Sequence, residues 1–84
     1  MATVELTPEA AEQAERLPKV IHKRVLALVE RLQDWPMVSG AKPLRGDLAG
    51  FYRLRTGDYR LRFRVKAQRV IVDKIGHRSE FYED

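Results

Sequence analysis

Around Gly57 the sequence leaves the backbone few choices. Phe51-Tyr52-Arg53-Leu54-Arg55 and Tyr59-Arg60-Leu61-Arg62-Phe63-Arg64-Val65 alternate apolar and basic side chains on either side of Thr56-Gly57-Asp58. A period of two marks half-buried strands, and a two-residue loop with glycine first suits a type II′ hairpin. Centring the hairpin on Gly57-Asp58 sets Leu54 opposite Leu61 and Tyr52 opposite Phe63. The other face then carries Arg55 opposite Arg60 and Arg53 opposite Arg62. A slip of one residue would turn the apolar set outward, so turn chemistry and hydrophobic pattern agree on one register.

The flanking segments supply what the hairpin lacks. Val4 and Leu6 alternate with Thr3 and Glu5, predicting a short first strand over 2–6. Thr7-Pro8-Glu9 reads as a helix start: a capping hydroxyl, a proline at the first helical position and an acid at the positive end of the dipole. Ala10, Ala14 and Leu17 make a thin stripe, and Pro18 separates this helix from a second over 19–34. There Ile21, Val25, Leu28, Leu32 and Trp35 keep helical spacing, Leu26 and Val29 widen the stripe, and Lys23, Arg24, Glu30 and Arg31 lie off it. Pro36 ends it, and Ser39-Gly40-Ala41-Lys42-Pro43 reads as a loop. After a turn at 66–69, Val70 to Ile75 reads as a well-covered strand and 76–82 as a tail. The expected class is α+β: a strand, two helices packed on one face of a small antiparallel sheet, then three antiparallel strands, all in a single domain over 1–84.

Composition removes whole classes of function. The chain has no cysteine, so disulfide scaffolds, thiolate metal sites and cysteine nucleophiles are excluded. His22 and His77 are too far apart in sequence for metal-ligand spacing, and neither a metal nor a cofactor is expected. No apolar run has the length of a membrane span. The N-terminal MATVELTPEA lacks the pattern of a signal peptide, so a soluble cytoplasmic protein is expected.

The formal net charge of +4 hides an asymmetry: from Lys42 to Lys66 there are eight basic residues against two acidic ones. Concentrated positive charge points to a polyanion. The hairpin places Arg53, Arg55, Arg60, Arg62 and Arg64 on its non-core face with no acid interleaved on the same two strands. A solvated outer face is the ordinary explanation for charges at alternate positions. Against it, like charges facing each other across strands cost about 0.7–0.8 kcal/mol per pair at roughly 5–6 Å in water-like dielectric. Arginine is also the better phosphate ligand, and no lysine stands at these five positions. Lys42 and Arg45 extend the basic set, and Arg78 and His77 join it from the tail. Phe51, placed on the arginine side or packed at a strand start, and Tyr82 near the chain end are candidate stacking groups for splayed single-stranded RNA.

Metal-free RNA cleavage needs a nucleophilic 2′-oxygen, stabilisation of charge building on phosphorus, and a proton for the departing 5′-oxygen. Arginines supply the second role. For acid and base the sequence offers His77, the nearby group that titrates near neutrality, and Tyr82.

Three blocks carry a family resemblance: Lys42-Pro43-Leu44-x-Gly46, then Tyr52-Arg53-Leu54-Arg55-x-Gly57-Asp58-Tyr59-Arg60, then Ile75-Gly76-His77-Arg78 through Tyr82. Their order and spacing resemble the RelE toxins of the RelE/ParE toxin–antitoxin superfamily over nearly the whole chain. The resemblance implies a ribosome-dependent endoribonuclease that cleaves mRNA in the A site by 2′-OH attack, needs no metal, and is inhibited by a cognate antitoxin in a hetero-oligomer. It implies that Arg60 grips the scissile phosphate, with Arg53, Arg78 and Tyr82 as further catalytic residues. Lys42, Arg45, Arg55, Arg62, Arg64 and His77 are the accompanying RNA-binding candidates. Phe51 stands where some RelE toxins have another basic residue. The alternative on the same scaffold is a ParE-like toxin that inhibits DNA gyrase without nuclease activity; the set Arg60, Arg78 and Tyr82 favours the nuclease. A third is an inactive basic module that binds RNA or an acidic peptide.

Overall fold

A computed structural model describes residues 2–81. Strand β1 (Thr3–Leu6) is followed by helices α1 (Pro8–Glu15) and α2 (Lys19–Arg31), the short strand β2 (Lys42–Pro43), and strands β3 (Phe51–Thr56), β4 (Tyr59–Lys66) and β5 (Arg69–His77). The five strands form one sheet in the order β1-β5-β4-β3-β2. Helix α1 packs on β5, and α2 packs on β3 and β4. No described helix is long and apolar enough to cross a membrane.

The hairpin forms in the expected register, with Tyr52 opposite Phe63, Leu54 opposite Leu61, Arg53 opposite Arg62 and Arg55 opposite Arg60. Gly57 has φ +60 while Asp58 does not adopt a positive φ, as a type II′ turn requires. Helix α1 begins as its sequence predicts, with the amide of Ala10 donating to Thr7 Oγ1 at 3.2 Å. Leu54, Leu61, Phe63, Val70, Val72 and Ile75 from the sheet meet Ala10, Ala14, Val25, Leu28 and Leu32 from the helical layer in one buried core. Trp35 closes its edge, with its ring centroid 4.7 Å from Tyr52 and 5.3 Å from Phe63.

Four details depart from the sequence expectations. The sheet is mixed, because β1 runs parallel to β5 and sets Val4 beside Val70 and Leu6 beside Val72. Alternation identifies a strand but carries no direction, and β1 takes the outer edge of β5 while the helices connect it to the opposite side of the sheet. Lys42 and Pro43, read as loop, pair with Arg53 and Tyr52; a sheet edge tolerates proline, which has no N–H to donate. Helix α2 ends at Arg31 and tightens into a 3₁₀ turn at Leu32–Asp34, and Leu26 is exposed instead of widening the buried stripe. Gly76 and His77 belong to β5, because β4 is long enough to pair with them through Arg60 and Tyr59.

One irregularity shapes the outer face. Arg62 pairs with Lys74 and Phe63 with Val72, so Asp73 is an extra residue in β5, a bulge. It brings the carboxylate to Arg62: Nε and Nη2 donate to Asp73 Oδ1 and Oδ2, both at 3.0 Å. The arginine face, expected to be without acid, therefore receives one from the neighbouring strand, which alternation within a single hairpin cannot reveal.

Candidate functional site

The helices cover one face of the sheet, so the alternate positions of β3 and β4 line the other. Arg53 and Arg55 on β3 stand beside Arg62 and Arg60 on β4, and Phe51 stands beside Arg64. Phe51 lies on this side and is only half-buried. The Arg62 guanidinium sits 5.4 Å and that of Arg64 5.9 Å from its ring centroid, within cation–π range. The arginine face thus has an aromatic floor at its Phe51 end.

At the turn end, four guanidinium groups gather. Arg60 is half-buried opposite Gly76. Burial, then repulsion from Arg53, Arg55 and Arg78, holds the Arg60 guanidinium below its ordinary pKa, while Asp58 opposes the shift. Arg78, eighteen positions on in sequence, reaches this cluster because a 3₁₀ turn at Arg78–Glu80 folds the chain back after β5. The amide of Arg78 donates to the Asp58 carbonyl at 2.8 Å, and its Nε lies 3.9 Å from Asp58 Oδ1. Asp58, assigned by sequence to the turn alone, also tethers Arg78.

The returning segment packs closely over Gly76. A β-carbon there would stand 2.5 Å from Glu80 Oε1 and 3.8 Å from Phe81 Cε1. Phe81 is buried, and Lys74 Nζ lies 4.7 Å from its ring centroid. The segment after β5 therefore closes one end of a face that the sequence leaves open.

The structure separates His77 from this cluster. His77 pairs with Tyr59, in phase with the helix-covered positions Leu61 and Ile75. Its ring packs edge-on against Tyr59 at 5.4 Å and lines a cleft shared with Gln13, Arg16 and Pro18. Nδ1 accepts from the Ser79 amide at 3.1 Å, and the His77 amide donates to Glu80 Oε1 at 3.2 Å, a reciprocal cap of the turn that carries Arg78. His77 thus holds Arg78 in place rather than standing among the arginines. Tyr82, the other candidate for proton transfer, lies outside the described residues.

The remaining basic candidates sit at the margins. Lys42, on the edge strand, faces Arg53 across the β2–β3 pair. Arg45 is exposed at the start of the Gly46–Leu48 turn. Arg55 and Arg64 are exposed. Arg62 is engaged by Asp73, so it braces the Phe51 platform. His22, assigned no chemistry from sequence, has Nδ1 2.7 Å from the Ala14 carbonyl and ties α2 to α1. This arrangement can bind an anion: four cations that repel one another gain from a phosphate placed among them, and the aromatic ring of Phe51 farther along the same face can stack a base.

Comparison with known proteins identifies the family. Residues 4–82 match the family model described as ParE toxin of type II toxin-antitoxin system, parDE. Toxin RelG of Mycobacterium tuberculosis is 34% identical over 87 residues, covering 95% of this chain and 94% of that protein. The toxin–antitoxin complex RelBE2 of the same organism contains a chain that superposes with a TM-score of 0.80 at 30% identity, over 93% of this chain and 92% of that one. A chain of the archaeal RelE-RelB complex from Pyrococcus horikoshii OT3 gives a TM-score of 0.73 at 25% identity, over 92% and 94%. The isolated RelE toxin of E. coli, 18% identical, shares the fold with a TM-score of 0.77 over 92% of this chain and 84% of that one. With matching extent, sequence and topology, this chain belongs to the RelE/ParE superfamily of type II toxin–antitoxin toxins.

Proposed function

We propose that this toxin is an endoribonuclease that cleaves messenger RNA in the ribosomal A site, and that a cognate antitoxin holds it inactive in a hetero-oligomer. The observation that carries the reading is the gathering of Arg53, Arg55 and Arg78 around Arg60 at the turn end of the sheet face whose other end carries Phe51.

In the proposed reaction the messenger's 2′-oxygen attacks the adjacent phosphorus and gives up its proton. The bond to the 5′-oxygen breaks, and that oxygen takes a proton as it leaves, yielding a 2′,3′-cyclic phosphate and a 5′-hydroxyl. Negative charge builds on the non-bridging oxygens, where fixed positive groups stabilise the transition state more than the substrate. Arg60 takes this role, because its burial and its crowding by like charges increase what it gains from an approaching anion. Arg78 and Arg53 flank the same phosphate, and Arg55, Lys42 and Arg45 extend the basic track. Phe51, braced by Arg62 and Arg64, offers a stacking surface. Tyr82 remains the proposed proton donor or acceptor, and His77 acts through the turn that positions Arg78.

The partner proposal rests on likeness to chains solved in complexes named RelBE and RelE-RelB and on the net charge of +4. An acidic antitoxin complements that charge. A toxin acting on ribosomes in this way would work in the cytoplasm.

The description of the matching family model by ParE keeps gyrase inhibition as a second reading. Two assays on one purified preparation separate them: cleavage of messenger on programmed ribosomes, and supercoiling by gyrase. Cleaved messenger with normal supercoiling supports the nuclease; intact messenger with blocked supercoiling supports the gyrase inhibitor.

A further inference from the structure

Where α2 ends beside the β2–β3 edge, a cleft of about 300 Å³ is lined by Arg31, Ser39, Gly40, Lys42, Arg53, Leu54 and Arg55. Four of those side chains are cationic and none is a carboxylate. Other clefts of the described surface carry an acid in their walls, Glu15, Glu80 or Asp34, or, beside Trp35 and Gln68, no charged side chain at all. Arg31 is the member that sequence gives no reason to select, since it lies in the last turn of a helix on the opposite layer. It enters the cleft because Nη2 donates to the Ser39 carbonyl at 2.8 Å and to Ser39 Oγ at 3.3 Å. The loop can lie close because Gly40 has φ +88, a conformation that L side chains rarely adopt. Arg53 and Arg55 belong both to this cleft and to the charged surroundings of Arg60, so the two regions form one continuous cationic track around the sheet edge.

We infer that this cleft is a second phosphate subsite, in which Arg31 and Lys42 hold the backbone of the single-stranded RNA next to the phosphate gripped at Arg60. The inference rests on the RNA reading above and extends it to a residue on the helical layer. Phosphate fits better than a protein side chain cluster because the cleft is lined chiefly by polar and charged groups, with Leu54 as its single large apolar wall residue. Guanidinium groups on both sides of a strand fix its path without reading its bases. The subsite would set the direction in which the messenger leaves the reacting position, and so the length of RNA the toxin engages.

The test is binding of a fluorescent single-stranded RNA oligonucleotide, 2′-O-methylated at every position so that it cannot be cleaved, measured over about 50 to 200 mM salt. The full chain is used as wild type, Arg31→Gln, Arg31→Lys and Arg60→Ala, with thermal unfolding followed on each. Glutamine keeps a donor for the Ser39 carbonyl but loses the charge; lysine keeps the charge. Arg31→Gln is expected to bind roughly fivefold more weakly and to reduce the slope of log affinity against log salt by about 0.7, the value for one phosphate contact on a single strand. Arg31→Lys is expected to keep the wild-type slope. A wild-type slope in Arg31→Gln overturns the subsite even where Arg60→Ala weakens binding, and leaves the reading of the Arg60 site standing. If wild type and Arg60→Ala bind the oligonucleotide equally, the RNA reading itself fails, and the subsite with it. An Arg31→Gln variant that loses antitoxin but keeps RNA affinity assigns the cleft to protein and also overturns the proposal.

Discussion

Arg78 is held to the hairpin turn by Asp58, through an amide-to-carbonyl hydrogen bond of 2.8 Å and a guanidinium-to-carboxylate approach of 3.9 Å. A residue beyond the last strand is thereby joined to the Gly57-Asp58 turn, and the cationic cluster around Arg60 is completed by a segment outside the hairpin. Asp58 has two opposing effects, since it orients Arg78 while drawing positive potential away from Arg60.

Replacing Asp58 by alanine keeps the backbone hydrogen bond and removes the carboxylate. Both partners are exposed, so the stability cost is expected to stay below about 1 kcal/mol. The cleavage rate at saturating ribosomes is expected to fall roughly tenfold, because a displaced catalytic charge is costly even over short distances. Single-turnover cleavage alongside thermal unfolding checks both; an unchanged rate would remove Arg78 from the reacting position.

Asp73→Asn separates stability from binding. The pair it forms with Arg62 is bidentate, and both side chains are largely buried. Its loss is expected to cost about 1–3 kcal/mol in urea unfolding, as for a charged hydrogen bond. The same change removes an acid from the arginine face, so affinity for single-stranded RNA should rise and its salt dependence steepen. Loss of RNA affinity in a folded Asp73→Asn variant would show that the Arg62 brace matters more than the net charge.

The edge strand predicts a pH signature. Arg69 Nε and Nη2 donate to Glu5 Oε2 and Oε1 at 2.7 and 2.9 Å, joining β1 to β5. This hydrogen bond, more than its charge, holds the Glu5 carboxyl below its ordinary value of 4.5. A carboxyl with a depressed folded pKa contributes stability that is present above the unfolded value and lost as pH falls through the folded one. Stability should therefore decline below about pH 4.5 in wild type, and less steeply in Glu5→Gln. Superimposable acid transitions would mean that the ion pair does not hold β1 in place. Raised salt should weaken the pair's contribution, since the side chains are exposed.

The legible parts of the fold were those governed by local chemistry. Gly57-Asp58 fixed the hairpin register, and Thr7-Pro8 fixed the start of α1, because turn and cap geometry depend on adjacent residues. Val4 and Leu6 announced a strand but not its parallel pairing, which depends on how two helices carry the chain across the sheet. The same division holds at the site. Alternation put five arginines on one face, whereas Asp73 reaches Arg62 through a bulge in a third strand, and no period in the sequence encodes a bulge. His77 is the sharpest case: its residue type suggested chemistry near neutrality, and its register with Tyr59 places it on the other side of the sheet. Arg31 meets Lys42 only through the tertiary contact with Ser39.

The most direct test of the account is to map messenger 5′ ends in a translating extract treated with wild-type toxin and with Arg60→Ala, the thermal unfolding of each being measured in parallel. The account predicts codon-phased cuts with wild type and, for a folded Arg60→Ala, a loss of cleavage of about 10²–10³-fold, the effect of removing one group that stabilises an oxyanion. Intact messenger with wild type, accompanied by stalled DNA synthesis, would contradict it.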